Sequence, residues 1–265
     1  MAIKVNGTTV INDSRALTNI ASIDATTAAS ITAAGIGGGG GNIDNWDPTS
    51  TPDVTMTSSG TWTNPNTADD TLVVFYAVGA GASGYRFFYS YGGGGGGAVI
   101  LAGTMGTLPS SVSIVVGAAA TSEGQGGGDT TISASGKTHT ADGGESSTSS
   151  QSSIPLGEVI VPTTSNPFNA YYPVVSLTAG GAAASRNDPG HDAVWGGAGG
   201  GGGYTTNNPG GTSTYAGDGG IGSDNSPFGR DGQAPGGGGG GSNSSSASNV
   251  GLGANGSVRI WYITA

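Results

Sequence analysis

The sequence predicts an all-β chain: a small β-sandwich-like framework with glycine-rich loops and polyglycine-type extended helices, behind a short N-terminal segment. Glycine fills 55 of 265 positions and charged residues 9%, against about 7% and about 25% in average proteins. Between the glycine tracts lie strand-like apolar runs, at Leu72–Val78, 98–101, 111–116 and Ser257–Ile263, which are costly to leave in water. The first and last of these stand near the two ends of the main region, where they can pair within one sheet.

Residues 1–36 are rich in Ala, Ile and Thr, with one glycine before Gly35. Ile3-Lys4-Val5 and Val10-Ile11, on either side of Asn6-Gly7, suggest a short hairpin or two short extended pieces. Leu17, Ile20, Ile23 and Ile31 recur without a sustained heptad, so no coiled coil is expected. Residues 37–58, with glycines at 37–41 and with Pro48 and Pro52, read as a linker or a first glycine strand. The glycine-rich β domain is assigned to 59–265.

The pure glycine runs are 37–41, 92–97, 126–128, 199–203 and 236–241. Collagen needs Gly at every third position with abundant Pro, and these runs have neither. Without Cβ, extended threefold helices can approach on all sides and exchange backbone hydrogen bonds, which would give a polyglycine bundle. The other reading is flexible spacers.

The formal charge of −10, from 17 acidic and 7 basic residues with no Lys/Arg cluster, disfavours nucleic acid; acidity of this kind keeps a repetitive surface soluble. The lack of cysteine excludes disulfides, thiolate zinc sites and cysteine nucleophiles. The N-terminus carries no secretory signal, and no apolar run reaches about 18 residues, so no membrane insertion is expected.

Chemical motifs are weak. Gly79-Ala80-Gly81-Ala82-Ser83-Gly84 satisfies the dinucleotide fingerprint but precedes a poor helix and no acidic ribose ligand. Gly219-Gly220-Ile221-Gly222-Ser223-Asp224 begins like a calcium nonapeptide, without its apolar position or a second copy. A single exposed calcium on Asp218, Asp224 or Asp231 and a solvated acidic loop are the alternatives, the loop favoured. His139 and His191 have no GxSxG elbow beside them, and a loop histidine is favoured for Asp188-Pro189-Gly190-His191-Asp192. No enzyme, cofactor, catalytic residue or metal site is expected.

Aromatic islands in polar, glycine-rich surroundings are the candidate recognition residues: Tyr85, Phe87, Phe88, Tyr89 and Tyr91, then Phe168, Tyr171 and Tyr172. Trp195, Tyr204, Tyr215 and Phe228 are weaker candidates. Tyr and Trp give large, stiff, amphipathic contact area. The same side chains can fill a core or a subunit interface, and for Phe87 and Phe88 the two readings weigh equally.

Two stretches resemble known proteins. Ala2-Ile3-Lys4-Val5-Asn6-Gly7-Thr8-Thr9-Val10-Ile11-Asn12-Asp13, running on to Leu17-Thr18-Asn19-Ile20, resembles N-terminal segments of phage tail-fibre proteins, especially of phages with marine and cyanobacterial hosts. Ser59-Gly60-Thr61-Trp62, the strand Leu72–Val78, the tract 92–97 with Ala98-Val99-Ile100, Ser113-Ile114-Val115-Val116-Gly117 and the closure before Val258-Arg259-Ile260 resemble, in order, a glycine-rich domain of phage tail fibres and some bacterial surface proteins. A polyglycine bundle is similar to the tip adhesins of T-even-like phage long tail fibres. These resemblances imply a virion protein, extracellular after release. Residues 1–36 would attach to tail or fibre proteins or trimerise the chain, and the loops would meet a host glycan or outer-membrane protein. A purely structural virion fibre, collar or decoration protein is the rival. A polysaccharide depolymerase is the third class, which no clustered carboxylate pair supports.

Overall fold

A computed structural model describes residues 3–5, 8–11, 46–66, 68, 70–86, 90–145, 181, 184, 187–224, 228–243 and 250–264. The chain divides into two compact units, Met1–Gly39 and Gly40–Ala265. In the first, β1 (Ile3–Val5) and β2 (Thr8–Ile11) pair antiparallel, with Val5 opposite Thr8. This is the hairpin that Asn6-Gly7 suggests.

The described part of the second unit contains strands and no α-helix: β3 (Val54–Met56), β4 (Gly60–Thr63), β5 (Leu72–Val78), β6 (Ala98–Thr104), β7 (Ser111–Val115), β8 (Thr130–Ala134), β9 (Lys137–Ala141) and β10 (Ser257–Ile263). They form two antiparallel four-stranded sheets, β3-β10-β5-β6 and β4-β7-β8-β9. The expected pairing of the region's two ends is present, with Ser257 opposite Val78 and Ile263 opposite Leu72. The structure places β3 and the buried Trp46, both inside the segment 37–58 read as a linker, in this folded body.

Strand β5 is buried along its whole length, which is why its sequence is an unbroken apolar run rather than an alternating one. Val73, Phe75 and Ala77 face the space between the sheets, with Val99, Leu101, Val112, Ile114, Ile132, Val258 and Ile260. There Trp62 meets Phe75 edge-on at 5.2 Å and donates its indole N–H to the Tyr262 hydroxyl at 2.9 Å. Leu72, Val74, Tyr76 and Val78 belong to a second cluster on the opposite face, with Trp46 and Trp261. The hairpin β8–β9 turns on Ser135 (φ 50°) and Gly136 (φ 75°), the two consecutive left-handed residues of a tight primed turn.

Past Val78 the sheet becomes a bundle. From Gly79 to Gly84 every backbone N–H is donated, at 2.8–3.0 Å, and the acceptors rotate in threes. Gly79 and Ala82 donate to Gly97 and Gly94, Ala80 and Ser83 to Gly128 and Gln125, and Gly81 and Gly84 to Ala254 and Gly251. The tract 92–97 repeats the pattern: Gly92 and Gly95 donate to Ala184 and Gly181, Gly93 and Gly96 to Gly239 and Gly236, Gly94 and Gly97 to Glu145 and Asp142. A repeat of three residues with three donor directions is the signature of threefold extended helices packed side by side. The polyglycine bundle is therefore what these tracts form, and the flexible-spacer reading does not hold for them.

Register passes from sheet to bundle without a shift. Val78 lies opposite Ala98 in β5–β6, and one and four residues further along the same pairing takes Gly79 to Gly97 and Ala82 to Gly94. The same holds for β8–β9, where Thr130 opposite Ala141 leads on to Gly127 donating to Gly144. The two sheets, separated by side chains at about 10 Å in a sandwich, meet directly here. Ala80, beyond β5, donates to Gly128, before β8, at 3.0 Å.

Close approach requires glycine at these contacts. A Cβ on Gly95 would stand 1.9 Å from the Gly197 carbonyl oxygen, and one on Gly238 would stand 2.1 Å from that of Gly93. At the exposed Gly126 a Cβ meets nothing nearer than the Gly144 oxygen at 3.3 Å. Gly95→Ala is expected to cost at least about 3 kcal/mol, the upper range for overpacking, and Gly126→Ala a small fraction of that. Thermal unfolding of the two variants beside the parent checks it, and equal midpoints would contradict a close-packed bundle.

Candidate functional site

Hydrogen-bond direction sorts the bundle into helices that leave the sheets and helices that return. Segments 79–84, 197–203, 217–223 and 236–241 all leave. Ala198 and Gly201 donate to Gly217 and Gly220, and Gly220 and Ser223 to Gly238 and Gly241, so these three run parallel. Segments 92–97, 208–211, 230–233 and 251–256 return, as the opposed order of their partners requires: Gly197, Gly200 and Gly203 donate to Gly96, Gly93 and Ser90. The connections therefore fall into two sets. Among the described residues, those near 193–196 and 212–216 lie at the sheet end, and 85–86, 90–91, 122–125, 187, 204–207, 224, 228 and 242–243 lie at the far end. The described segment after β9 ends at Glu145, whose carbonyl accepts from Gly94.

The far-end connections are tied to one another. Tyr85 N–H donates to Tyr91 O (2.8 Å), closing the neck of loop 85–91. The Glu123 carboxylate accepts from Arg86 N–H (3.1 Å) and pairs with its guanidinium Nε (2.8 Å). Ser242 donates to Tyr85 O and Asn243 to Ser223 O. Asn207 Oδ1 accepts from Asp224 N–H (3.1 Å), and Asn187 Oδ1 accepts both the N–H and the hydroxyl of Thr205 (3.0 and 3.1 Å). Described residues from six segments remote in sequence thus meet at one end of the bundle, where Phe228 is 54% exposed.

The sequence-level candidates divide. Tyr85 is half-buried and Tyr91 only 7% exposed, so this pair builds the loop's neck, and Tyr91 offers little contact surface. Phe87, Phe88 and Tyr89 between them, and Phe168, Tyr171 and Tyr172, lie outside the described residues. Tyr204 and Phe228 belong to the far end. Trp195 and Tyr215 belong to the sheet end, where they stack at 4.3 Å, Trp195 stacks on Trp46 at 5.8 Å and the Tyr76 hydroxyl donates to Trp195 O. Burial raises the Tyr76 pKa and the Arg259 charge opposes the rise. Sequence reasoning passed over Asn187, Thr205, Asn207 and the Arg86–Glu123 pair. The polar stretch Thr205-Thr206-Asn207-Asn208 between glycine tracts was the available signal.

The other motifs find structural roles. The 79–84 fingerprint is a bundle helix with all its N–H groups taken. In 218–224, Asp218, Ile221 and Asp224 form the outward file of a threefold helix, one residue in three, while Gly219, Gly220 and Gly222 face neighbouring backbones. Asp218 accepts Ser213 N–H (2.8 Å) and Asp231 accepts Leu252 N–H (2.7 Å). Among the described residues no three His, Cys, Asp or Glu side chains converge as a metal site. His139 is buried on β9, opposite Ile132, and is not a loop residue. His191 is exposed and its carbonyl accepts Gly199 N–H.

Aspartates also end the bundle's hydrogen-bond rows. Asp192 Oδ1 accepts the N–H and hydroxyl of Thr212 (2.7 and 3.1 Å), and these bonds hold its pKa below the ordinary 3.8. Asp47 is lowered by the hydroxyl and then the N–H of Thr49. A depressed folded pKa means that the unfolded chain binds more protons in this range. The stabilisation is complete above the unfolded value and is lost as pH falls through the folded one. The thermal midpoint is therefore expected to fall below roughly pH 4, and to fall less for Asp192→Asn, which keeps an acceptor oxygen but does not titrate. Calorimetry down the acid range checks this, and parallel curves would contradict it.

No curated protein matches the sequence. A family model described as a glycine-rich domain matches residues 53–263, from the start of β3 to the end of β10. The match takes in both sheets and the whole described bundle, and the chain belongs to this glycine-rich domain family.

Proposed function

We propose that this chain is a phage virion tail-fibre or fibre-tip protein that mediates adsorption to a host cell-surface receptor through the far-end loops. What supports the reading is the polarity of the second unit. Trp46, where its described part begins, and Ile263 pack at the sheet end, while the tied residues 85–86, 123, 187, 205, 207, 224 and 242–243 lie at the opposite end of the bundle. A rigid stand with loops at one pole suits recognition, because loops held by a scaffold carry binding with little ordering cost. Residues 1–36 serve as the virion-attachment or trimerisation segment, with tail or fibre proteins as partners. The receptor is a surface glycan or outer-membrane protein. On a trimer, several weak loop contacts act together through high effective concentration. The protein does no catalysis.

A purely structural fibre, collar or decoration role is the second reading, favoured by the inward placement of Tyr91, Trp195 and Tyr215. Adsorption separates the two. Purified full-length protein is expected to bind host cells and block phage adsorption, and Phe228→Ser to weaken binding about tenfold, the scale of one good aromatic contact, with an unchanged thermal midpoint. Protein that neither binds nor blocks would leave the structural role. Separately, light-scattering mass with and without residues 1–36 is expected to fall from trimer to monomer on truncation. A monomer in both forms would favour a tip adhesin mounted on a separate fibre.

A further inference from the structure

We infer that the second unit holds a second binding site, for a carboxylate-bearing saccharide, in the groove over Arg259 at the sheet end. The groove, of about 440 Å³, lies between residues 48–52 and the connection 214–216, with Trp261 and Arg259 of β10 also lining it. Arg259 is its single charged group, and no carboxylate lines it. Across Ser50 and Thr51 a second groove, of about 420 Å³, has the opposite character, with Asp47 and Asp53 and no cation. In a chain of net charge −10, an isolated cationic groove beside an acidic one is a local exception that selects for anions.

The guanidinium is held in place. Arg259 Nη1 donates to Tyr215 O at 3.0 Å, and the group lies over the Tyr76 ring, 5.8 Å from its centroid. Among the described residues Arg259 has no carboxylate within ion-pair distance. One bond to Tyr215 leaves most of the five guanidinium donors for a ligand, in a fork suited to a carboxylate. The remaining lining fits a sugar ring better than a bare anion. Hydroxyls of Thr51 and Thr214 can pair with ring hydroxyls, those of Thr49 and Ser50, whose protons go to Asp47, can accept from them, and Pro48, Pro52 and Tyr215 give apolar walls for its C–H faces. This site is separate from the far-end loops and stands whether or not those bind a receptor.

Isothermal titration of the full-length protein with D-glucuronate, D-glucose and N-acetylglycine tests it. Glucuronate is expected to bind saturably, about tenfold or more tighter than glucose, the scale of a charge-assisted hydrogen bond, and to weaken with salt. Arg259→Gln is expected to remove the preference. Because that change also releases Tyr215 O, Thr51→Asp provides a second variant, setting a carboxylate at the exposed rim with Arg259 intact. It is expected to abolish glucuronate binding at an unchanged thermal midpoint. Absence of saturable glucuronate binding, equal affinity for glucose, or unaltered binding in both variants would overturn the site. N-acetylglycine binding as tightly as glucuronate would overturn the saccharide assignment and point to peptide carboxylates.

Discussion

The constraint on which the second unit depends is the approach of backbone to backbone with nothing between. A buried N–H or C=O without a partner is costly, and a β-sheet solves this with two neighbours per strand. The bundle solves it with donors in three directions, which requires neighbouring segments on every side. That spacing leaves no room for a Cβ: the ideal position on Gly81 or Gly200 falls 2.0 or 2.1 Å from a carbonyl oxygen of a neighbouring segment. Glycine is the most expensive residue to order, so the hydrogen bonds of the interior helices must offset a large entropy loss. They do so by being complete, every N–H of 79–84, 92–97 and 236–241 having an acceptor.

Completeness demands register, and glycine cannot specify it. A strand rich in glycine slips easily, because no side chain distinguishes one alignment from the next. The sandwich supplies what the tracts lack. Helices 79–84, 92–97 and 251–256 are direct continuations of β5, β6 and β10, whose side chains lock between two hydrophobic clusters. Helices farther from the sheets are fixed by their ends. Trp195 and Tyr215, at two sheet-end turns, dock on Trp46, Tyr76 and Trp261, and Asp192 with Thr212 and Asn187 with Thr205 tie neighbouring turns. Much of the acidity assigned to solubility is at work here, since Asp53, Asp129, Asp192, Asp218 and Asp231 each accept a backbone N–H.

These roles explain which parts were legible in the sequence. β5 and β10 stood out because they are apolar over long stretches, and the tracts' lack of a collagen period pointed to a bundle. β8 and β9 were missed because each buries one face and carries Thr, Ser and Lys on the other, although Ser135-Gly136 marked their turn. The calcium-like 218–224 was the hardest case. One side chain in three is what an outer threefold helix shows, and in a glycine-rich chain that spacing is easily taken for a metal repeat. Which tract neighbours which was not legible, because the contacts are made by backbone atoms common to all of them. At the candidate site the aromatic residues were visible, whereas their sorting between a loop neck, a far end and a sheet-end cluster depended on helix direction.

Direction also separates the burdens on different positions. Interior tracts such as 92–97 and 236–241 admit no side chain, and outer helices admit one residue in three. The described far-end residues 204–206 and Phe228 lie outside the close-packed tracts and carry neither burden. Outside ties such as Asn187 with Thr205, substitution there leaves the register intact, because register is set mainly at the other end by the strands and by Trp195 and Tyr215. Stability and surface chemistry are thereby assigned to opposite poles of one unit. A chain built in this way can change what its loops contact without altering the fold that holds them.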